Sequence, residues 1–393
     1  MGVVTEPDAP FDRETLALIE TASEAFANGT DLAALNQRLR ASGHSPERVT
    51  VALQQTELRQ RASSKFGETA HSLAFTRAGL EQATRGWIAE HHAARMAATG
   101  AGSIADLGCG IGADARAFAA AGLRVHAVDA DANTASFAAF NLREFPNASA
   151  TRGFAEGFDT SSVEAVWLDP ARRGARGRTP HPAVWSPSLE FAFGLASTKP
   201  LGVKLGPAIP HELLPQEAEW QWVGEGNETL EATVYWGGAE REPGLRSALV
   251  RGPGGDTEIA SAEQKAPPEV TGVDAYVLEP HGAVIRAGLL PQLAEQLGAT
   301  LVSDGIAYLT STTPVRHPLV QTFEVTTIGP LKPRALSSAL RAAEIGAVEI
   351  KQRGTGIDPA VFRKRLQLRG SNTATIILTR DRGEHRALLA KRL

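Results

Sequence analysis

The chain has 393 residues, 42% of them hydrophobic and 21% charged, with a formal net charge of −4. This composition is typical of a soluble globular protein with two or three domains. No apolar run reaches membrane-spanning length and the N-terminus lacks the features of a signal peptide, so we expect a cytoplasmic protein without membrane contact. The single cysteine, Cys109, excludes an internal disulfide and a cysteine-based metal or cluster site.

Charge is unevenly distributed along the chain. From Arg316 onward there are 15 basic and 6 acidic side chains, a net charge of +9, which leaves −13 for residues 1–315. A basic segment on an acidic body favours a polyanionic partner, most simply nucleic acid. The alternative interpretation is that these charges are the solvated faces of small helices.

The first 100 residues are predicted to be mainly helical. Apolar residues recur three apart near the start, and Ser45 with Pro46 supplies a cap and a first-turn proline for the next helix. We predict a helical N-terminal domain over residues 1–64, then a loop and a long helix. That helix contains His91 and His92, which point about 100° apart and make a poor metal pair. We therefore expect surface or packing histidines, and no metal site.

Residues 101–131 form the most informative stretch. They predict a strand, a glycine turn, a helix and a second strand that ends in an acid: Ser103 to Leu107, Gly108 with Gly110 and Gly112, Ala113 to Ala121, and Leu123 to Val128 followed by Asp129. This is one βαβ unit. Its glycines allow a ligand to approach the backbone closely, and an acid at the end of the second strand can accept hydrogen bonds from ribose hydroxyls.

Two ligand classes use this architecture. Gly108, Gly110 and Ala113 formally satisfy the dinucleotide pattern, which places a pyrophosphate on the helix. Asp106, however, would place a carboxylate beside that pyrophosphate, and like charges repel strongly in a poorly hydrated cleft. A zwitterionic ligand with cationic groups fits better. A dinucleotide-dependent oxidoreductase, or a glycine turn that binds nothing, stays as an alternative.

The sequence DLGCGIG, followed by VD at the end of the next strand, resembles the first two motifs of the class I S-adenosylmethionine-dependent methyltransferases. The resemblance implies an α/β fold with a Rossmann-like sheet and S-adenosylmethionine as the cofactor. The implied cofactor-binding residues are Asp106, Gly108, Gly110, Gly112, Asp129, Phe154 and Ala155. Phe154 stands where the family often has an acid, so backbone or stacking contacts with adenine are expected there. The segment before the first strand covers the cleft in many members, and its candidate lining residues are Lys65, Phe75, Thr76, Arg77, Gln82 and Thr84.

A second motif follows the apolar strand predicted over Val163 to Leu168. The sequence Asp-Pro-Ala-Arg at 169–172 is similar to the fourth motif of nucleic-acid methyltransferases, usually D/N-P-P-Y/F, in which the acid binds the target nitrogen. The resemblance implies catalytic roles for Asp169, Pro170 and Arg172. Here alanine and arginine replace the second proline and the aromatic, although a guanidinium can also stack on a base. Uracil-C5 methylation is disfavoured because it requires a cysteine nucleophile, and Cys109 lies in the cofactor turn.

Arginines follow this motif closely. Arg172, Arg173 and Arg176 predict a basic loop at the mouth of the site that binds substrate phosphates, with a plain surface loop as the alternative. A strand is expected within 200–209, and then a hairpin that matches the reversed last strand of the class I sheet.

The rest of the chain predicts a small basic α/β module. Strands are expected at 247–251, from 276, between 298 and 307, and at 319–329, 347–352 and 373–380. Helices are expected at 289–297, 333–345 and 359–368. This tail resembles the THUMP-like domain attached to some bacterial class I methyltransferases that are assigned to RNA. The resemblance and the charge imply RNA binding, with Lys351, Arg353, Arg363, Lys364 and Arg365 as candidate contacts.

Together these patterns predict four segments: the helical domain 1–64, a methyltransferase domain 65–240, a connecting α/β region 241–312 and a basic THUMP-like domain 313–393. The expected activity is methyl transfer from S-adenosylmethionine to a base nitrogen of ribosomal or transfer RNA. A small-molecule methyltransferase and an RNA-binding protein with a vestigial cofactor fold are the alternatives.

Overall fold

The computed structural model describes residues 10–170 and 185–393. Between these ranges it describes only the backbone of two short strands, Arg173–Gly174 and Gly177–Arg178, which pair antiparallel with each other.

The chain divides into two compact units. The first unit contains Met1–Leu205 and Val234–Arg241, and the second contains Gly206–Thr233 and Glu242–Leu393. The boundary near residue 205 lies inside the segment predicted as one methyltransferase domain, and the predicted domain limits stay a prediction.

Helices begin the first unit and then alternate with strands. The helices are α1 (Arg13–Ala27), α2 (Leu32–Ala41), α3 (Pro46–Phe66), α4 (Arg77–Gln82), α5 (Gly86–Ala97), α6 (Ala113–Ala120), α7 (Ala132–Leu142) and α8 (Leu189–Gly194). Side chains cap the first three: Asp12, Asp31 and Ser45 each accept a hydrogen bond from a backbone N–H of the first turn. The long helix expected before the first strand is divided into α4 and α5.

The strands of the first unit form a parallel sheet in the order β7-β4-β1-β2-β3. The strands, with the two short ones numbered in chain order, are β1 (Ser103–Leu107), β2 (Arg124–Asp129), β3 (Ala148–Arg152), β4 (Ala165–Leu168), β5 (Arg173–Gly174), β6 (Gly177–Arg178) and β7 (Leu201–Leu205). Every residue of β1 and β4 is buried, as expected for parallel strands covered on both faces. The predicted Rossmann-like α/β class is confirmed.

The order of these strands reverses between β1 and β4. The chain runs outward from β1 through β2 to β3, and then returns to the other side of β1 with β4. In open α/β sheets a crevice forms at the carboxyl ends of the strands at such a point, and ligands bind there. The core beneath it packs Trp167 of β4 against Phe118 of α6, with ring centroids 5.5 Å apart.

The second unit begins with β8 (Glu219–Glu225) and β9 (Glu228–Trp236), which are neighbours joined by only two residues, as predicted for a hairpin. The last three residues of β9 belong to the first unit. Next come β10 (Arg246–Gly252), parallel to β8, and β11 (Gly255–Ser261), antiparallel to β10.

A seven-stranded sheet makes up the rest of this unit, in the order β13-β14-β12-β15-β18-β17-β16. Its strands are β12 (Tyr276–Pro280), β13 (Thr300–Ser303), β14 (Ile306–Ser311), β15 (Val320–Pro330), β16 (Ile345–Gln352), β17 (Asn372–Asp381) and β18 (Glu384–Arg392). The accompanying helices are α9 (Gly282–Ala287), α10 (Leu290–Leu297), α11 (Pro333–Ala342) and α12 (Pro359–Lys364).

Candidate functional site

Residues 108–112, between β1 and α6, form a turn that we call the glycine turn. This turn is hydrogen-bonded to the end of β2. The N–H groups of Gly108 and Cys109 donate to the carbonyl oxygen of Val128 at 2.8 and 3.1 Å. Gly108 has φ +85°, and a Cβ at this position would lie 2.7 Å from the carbonyl oxygen of Asp169. Only glycine therefore allows the turn to pass this close to the segment that follows β4.

Asp129 holds the middle of the glycine turn from the end of β2. Its carboxylate accepts hydrogen bonds from the N–H of Gly110 at 3.0 Å and from the N–H of Asp131 at 2.9 Å. Burial raises the pKa of Asp129, and these two hydrogen bonds oppose that effect. Nothing lies within 4 Å of a Cβ placed on Gly110, so the space above the turn is open to a ligand.

Asp106 is buried at the carboxyl end of β1 and is only 1% exposed. Its Oδ2 atom has no hydrogen-bond partner within the described part of the chain. Burial, together with the nearby carboxylates of Asp114 and Asp169, raises the pKa of Asp106 well above its usual range. A cationic ligand would stabilise its ionised form, so the site fits a ligand that carries ammonium and sulfonium groups.

Phe154 and Ala155 follow β3 at the same edge of the sheet. The N–H of Gly153 donates to the carbonyl oxygen of Asp129 at 2.9 Å, which ties this turn to β2. Phe154 is 63% exposed, whereas Ala155 is buried. An exposed ring beside the cleft can stack on a planar ligand such as adenine.

Asp169 follows β4 and belongs to a chain of polar contacts across the first unit. The Nζ atom of Lys204, on β7, lies 2.6 Å from Oδ2 of Asp169 and 2.8 Å from Oγ1 of Thr84. The Thr84 hydroxyl donates to Oδ2 of Asp114 at 2.6 Å, and Oδ1 of Asp114 lies 2.8 Å from Nδ1 of His92. We call these five residues the Lys204 network.

The inner part of this network is fully enclosed. His92 is buried and its ring lies 4.3 Å from the ring of Trp167, centroid to centroid. Burial alone would raise the pKa of Asp114, but the hydrogen bond and charge of His92, followed by the charge of Lys204, bring this pKa below its ordinary value. Asp114 therefore stays ionised between His92 and Lys204.

The segment before α4 is held against the glycine turn by side chains. Gln55 pairs with both the N–H and the carbonyl of Phe75, at 3.0 and 2.7 Å. Asn141 exchanges hydrogen bonds with the backbone of Ala74 and also donates to the carbonyl of Ile111 at 2.9 Å. These contacts keep residues 73–76 extended just before α4.

Lys65 fastens the next part of the same segment. Its Nζ atom donates to the carbonyl oxygens of Leu80, Glu81 and Ala83 at 2.7–3.1 Å, which closes the end of α4. Burial, reinforced by the charges of Arg85 and Lys204, lowers the pKa of Lys65 to about 8.

Several basic residues predicted to bind substrate lie in the second unit. In the second unit, Lys351 is 2.5 Å and Arg353 is 3.7 Å from the carboxylate of Glu279. The other basic candidates are exposed at the end of α12 and just beyond it, and are Arg363, Lys364 and Arg365. Pro170 is buried after Asp169. The side chains of Arg172, Arg173 and Arg176 lie outside the described residues.

The sequence patterns did not identify Lys204 or Asp114 as site residues, and they left His92 as a surface or packing residue. His92 and Asp114 lie in ordinary helices that carry other polar residues, and Lys204 is the one polar residue of β7. The one available signal was the lysine inside the apolar run of β7. Among the described residues there is no cluster of ligands suited to a metal ion. No described helix is long and apolar enough to cross a membrane.

The chain is similar to known proteins in sequence and in fold. Residues 320–392, from β15 to β18, match the family model described as THUMP domain-like. Over 348 residues the chain is 31% identical to an uncharacterized S-adenosylmethionine-dependent methyltransferase of Mycobacterium tuberculosis, present in strains CDC 1551 and H37Rv, with 85% of this chain and 93% of the relative covered. The fold is similar to that of a presumed methyltransferase from Porphyromonas gingivalis W83, with a TM-score of 0.75 and 20% identity over 97% of this chain and 99% of that one.

Proposed function

This chain belongs to the S-adenosylmethionine-dependent methyltransferases, and we propose that it methylates a base nitrogen in ribosomal or transfer RNA. The observation that carries the proposal is the position of Asp169. It follows β4 directly, beside the glycine turn, at the edge of the sheet where ligands bind. Its Asp-Pro-Ala-Arg sequence is similar to the motif that nucleic-acid methyltransferases use to hold a target nitrogen.

The residues around the cleft have separate roles in binding the cofactor. Asp129 would accept hydrogen bonds from the ribose hydroxyls, and Phe154 would stack on the adenine. Gly110 leaves room for close approach, and Asp106 offers a buried carboxylate to the cationic groups. When bound, S-adenosylmethionine supplies a methyl group that its sulfonium already activates.

Asp169 acts on the other reactant. Its carboxylate would accept a hydrogen bond from the N–H of the target nitrogen and orient that nitrogen toward the cofactor site. The same carboxylate would take up the proton that the nitrogen releases on methylation. Positioning of this kind accounts for most of the rate when the methyl group is already activated.

Covalent chemistry at a carbon of the base is disfavoured by Cys109. The thiol is buried, and burial together with the charge of Asp106 raises its pKa well above the usual range. A thiol in this state is a poor nucleophile at neutral pH.

RNA as the substrate is supported by the second unit. It carries the THUMP-like match and the basic C-terminal segment with a net charge of +9. Arg363, Lys364 and Arg365 are exposed and suited to phosphate contacts. Lys351 and Arg353 are paired with Glu279, so we expect them to contribute less to such contacts.

The test is methyl transfer from tritiated S-adenosylmethionine to total RNA isolated from a strain that lacks the gene. We expect the wild type to label RNA. Asp169→Ala should lower labelling by at least about 100-fold while S-adenosylhomocysteine binding, measured by calorimetry, changes less than about threefold. Unchanged turnover in the variant would remove Asp169 from the mechanism.

Two other outcomes separate the alternative functions. Labelling of a small-molecule extract but not of RNA would indicate a small-molecule methyltransferase. Binding of RNA and S-adenosylhomocysteine without any transfer would indicate a vestigial site.

A further inference from the structure

We propose that Lys204 is a positioning residue for methyl transfer, which keeps the carboxylate of Asp169 ionised and in one orientation. The inference rests on the proposed function, since that function assigns Asp169 to the target nitrogen. It adds Lys204, from the neighbouring strand β7, as a residue that sets the ionisation and the orientation of Asp169.

The position of Lys204 in β7 is unusual for a lysine. Its neighbours Val203 and Leu205 are buried, and its own side chain is only 12% exposed. A buried ammonium group is costly unless it is paired and hydrogen-bonded. Its partners are therefore informative, and they include Asp169 at 2.6 Å and Thr84 at 2.8 Å.

The contact with Thr84 fixes the direction of the hydrogen bonds. The single hydroxyl proton of Thr84 is donated to Asp114 at 2.6 Å, so its oxygen must accept from Lys204. The ammonium is thus held at two points, and Asp169 is oriented by a group that is itself fixed. Asp114 is anchored in turn by His92, which is fully buried.

Charge gives Lys204 its second role. The carboxylates that face this region come from different elements: Asp106 from β1, Asp114 from α6, Asp129 from β2 and Asp169 after β4. Among the described residues, the groups here that can carry a positive charge are Lys204, His92 and, from α3, Lys65. Asp129 disfavours the ionised form of Asp169 by like-charge repulsion, whereas Lys204 favours it at contact distance.

Removing the ammonium should therefore change how Asp169 titrates. An opposite charge in contact lowers the pKa of a carboxylic acid by about 1–3 units. Without Lys204, Asp169 becomes protonated at a higher pH and then cannot accept a proton from the target nitrogen. A lysine that merely joins β7 to the α4–α5 connection would leave the titration of Asp169 unchanged.

The test compares Lys204→Met with a matched control, Lys199→Met. Lys199 precedes the same strand and its ammonium donates to the carbonyl oxygens of Thr160 and of Val163, the latter at 2.9 Å, at the opposite edge of the sheet. Both variants lose a lysine that is hydrogen-bonded within the first unit. Only Lys204→Met removes the charge beside Asp169.

The first measurement uses the full chain labelled with ¹³C at the aspartate carboxyl carbons, with the Asp169 signal assigned by its loss in Asp169→Asn. The titration midpoint of Asp169 should move up by about 1–2 pH units in Lys204→Met and stay in place in Lys199→Met. An unchanged midpoint in Lys204→Met overturns the proposal. Lys204→Arg retains the charge, and its midpoint should stay low. If Lys204→Met does not fold, Lys204→Gln removes the charge while keeping a hydrogen-bond donor for Thr84 and Asp169, and it should raise the midpoint in the same way.

The second measurement is the pH profile of RNA labelling. In Lys204→Met we expect kcat to fall by about 10- to 100-fold, with little change in KM, and the acidic limb of the profile to move to higher pH. Normal kcat in this variant overturns the proposal. If the wild type labels no RNA, the proposed function fails, but the titration of Asp169 still decides whether Lys204 controls its charge.

Discussion

Asp106 is a buried carboxyl whose ionised form is disfavoured by its surroundings. Its pKa is raised, so the folded state keeps a proton that the unfolded state loses near its ordinary pKa of 3.8. This residue therefore lowers the free energy of unfolding as the pH rises above about 4, and the loss is complete above the raised pKa.

We predict that Asp106→Asn is more stable than the wild type at pH 8, by about 1–3 kcal/mol, because it buries no charge without a hydrogen-bond partner. The gain should shrink as the pH is lowered from 8 to 5, and S-adenosylhomocysteine affinity should fall at pH 8. Urea denaturation and calorimetry measure the two effects. Asp159→Asn is the control, since Asp159 is exposed with a lowered pKa and should give a constant difference over this range. A gain that does not depend on pH would contradict the prediction.

Two glycines of the same turn differ in what surrounds them. Gly108 and Gly110 both have positive φ, +85° and +56°, but only a Cβ on Gly108 would meet backbone, the carbonyl of Asp169 at 2.7 Å. Gly110→Ala should cost about 1–2 kcal/mol for the left-handed backbone. Gly108→Ala should cost about 1–3 kcal/mol more because of the collision. Equal losses in urea denaturation would show that the turn moves away from Asp169 easily.

The predictability of these residues from sequence depended on whether their partners are local. Asp106, the glycines and Asp129 follow one another closely along the chain, in a pattern whose spacing follows from a single βαβ unit. Lys204 and Thr84 are 120 residues apart, and their contact exists only because β7 and the α4–α5 connection meet in the folded unit. No periodicity or local motif encodes such a pair.

At the level of elements, Asn141 of α7 joins the extended residues 73–76 to the glycine turn. Its side chain accepts a hydrogen bond from the N–H of Ala74 and donates to the carbonyl oxygens of Ala74 and Ile111. We predict that Asn141→Ala lowers stability by about 2–4 kcal/mol, because it leaves buried backbone groups without partners. We also expect at least about tenfold weaker S-adenosylhomocysteine binding, since the glycine turn loses its support.

Asn147→Ala is the matched control for this prediction. Its side chain also donates to two backbone carbonyls, those of Ala119 and Leu123, but it does not bond to the glycine turn. It should lose stability and keep its affinity for S-adenosylhomocysteine. Equal affinities for S-adenosylhomocysteine in the two variants would mean that the hydrogen bonds between Asn141 and Ala74 support the fold but not cofactor binding.

The elements themselves were predictable where the apolar pattern was clear. The limits of β1 agree with the sequence prediction, since this strand is largely apolar and lies between Gly102 and Gly108. β11 was missed because it is largely exposed and polar. β18 was missed because its buried centre, ALLA, does not alternate and consists of helix-forming residues. Its pairing with β15 and β17 overrides that preference.

At the scale of the whole molecule, the chain joins a methyltransferase unit to a THUMP-like, basic C-terminal segment. Electrostatic binding to RNA releases counterions, so the logarithm of the affinity falls linearly with the logarithm of the salt concentration. The slope reports how many phosphates the protein neutralises, and it does not require knowledge of the RNA sequence. A salt titration thus tests the role of the basic segment independently of catalysis.

We predict that replacing Arg363, Lys364 and Arg365 together by alanine reduces this slope by about 2, since each phosphate that is no longer neutralised on single-stranded RNA lowers it by about 0.7. The control replaces three exposed arginines of the N-terminal helices, Arg38, Arg40 and Arg61, which removes the same charge from the acidic part of the chain. Filter binding of a labelled RNA transcript between about 50 and 200 mM salt measures both slopes. If the two triple variants show the same decrease, RNA responds to net charge alone, and the α12 surface is not the binding site.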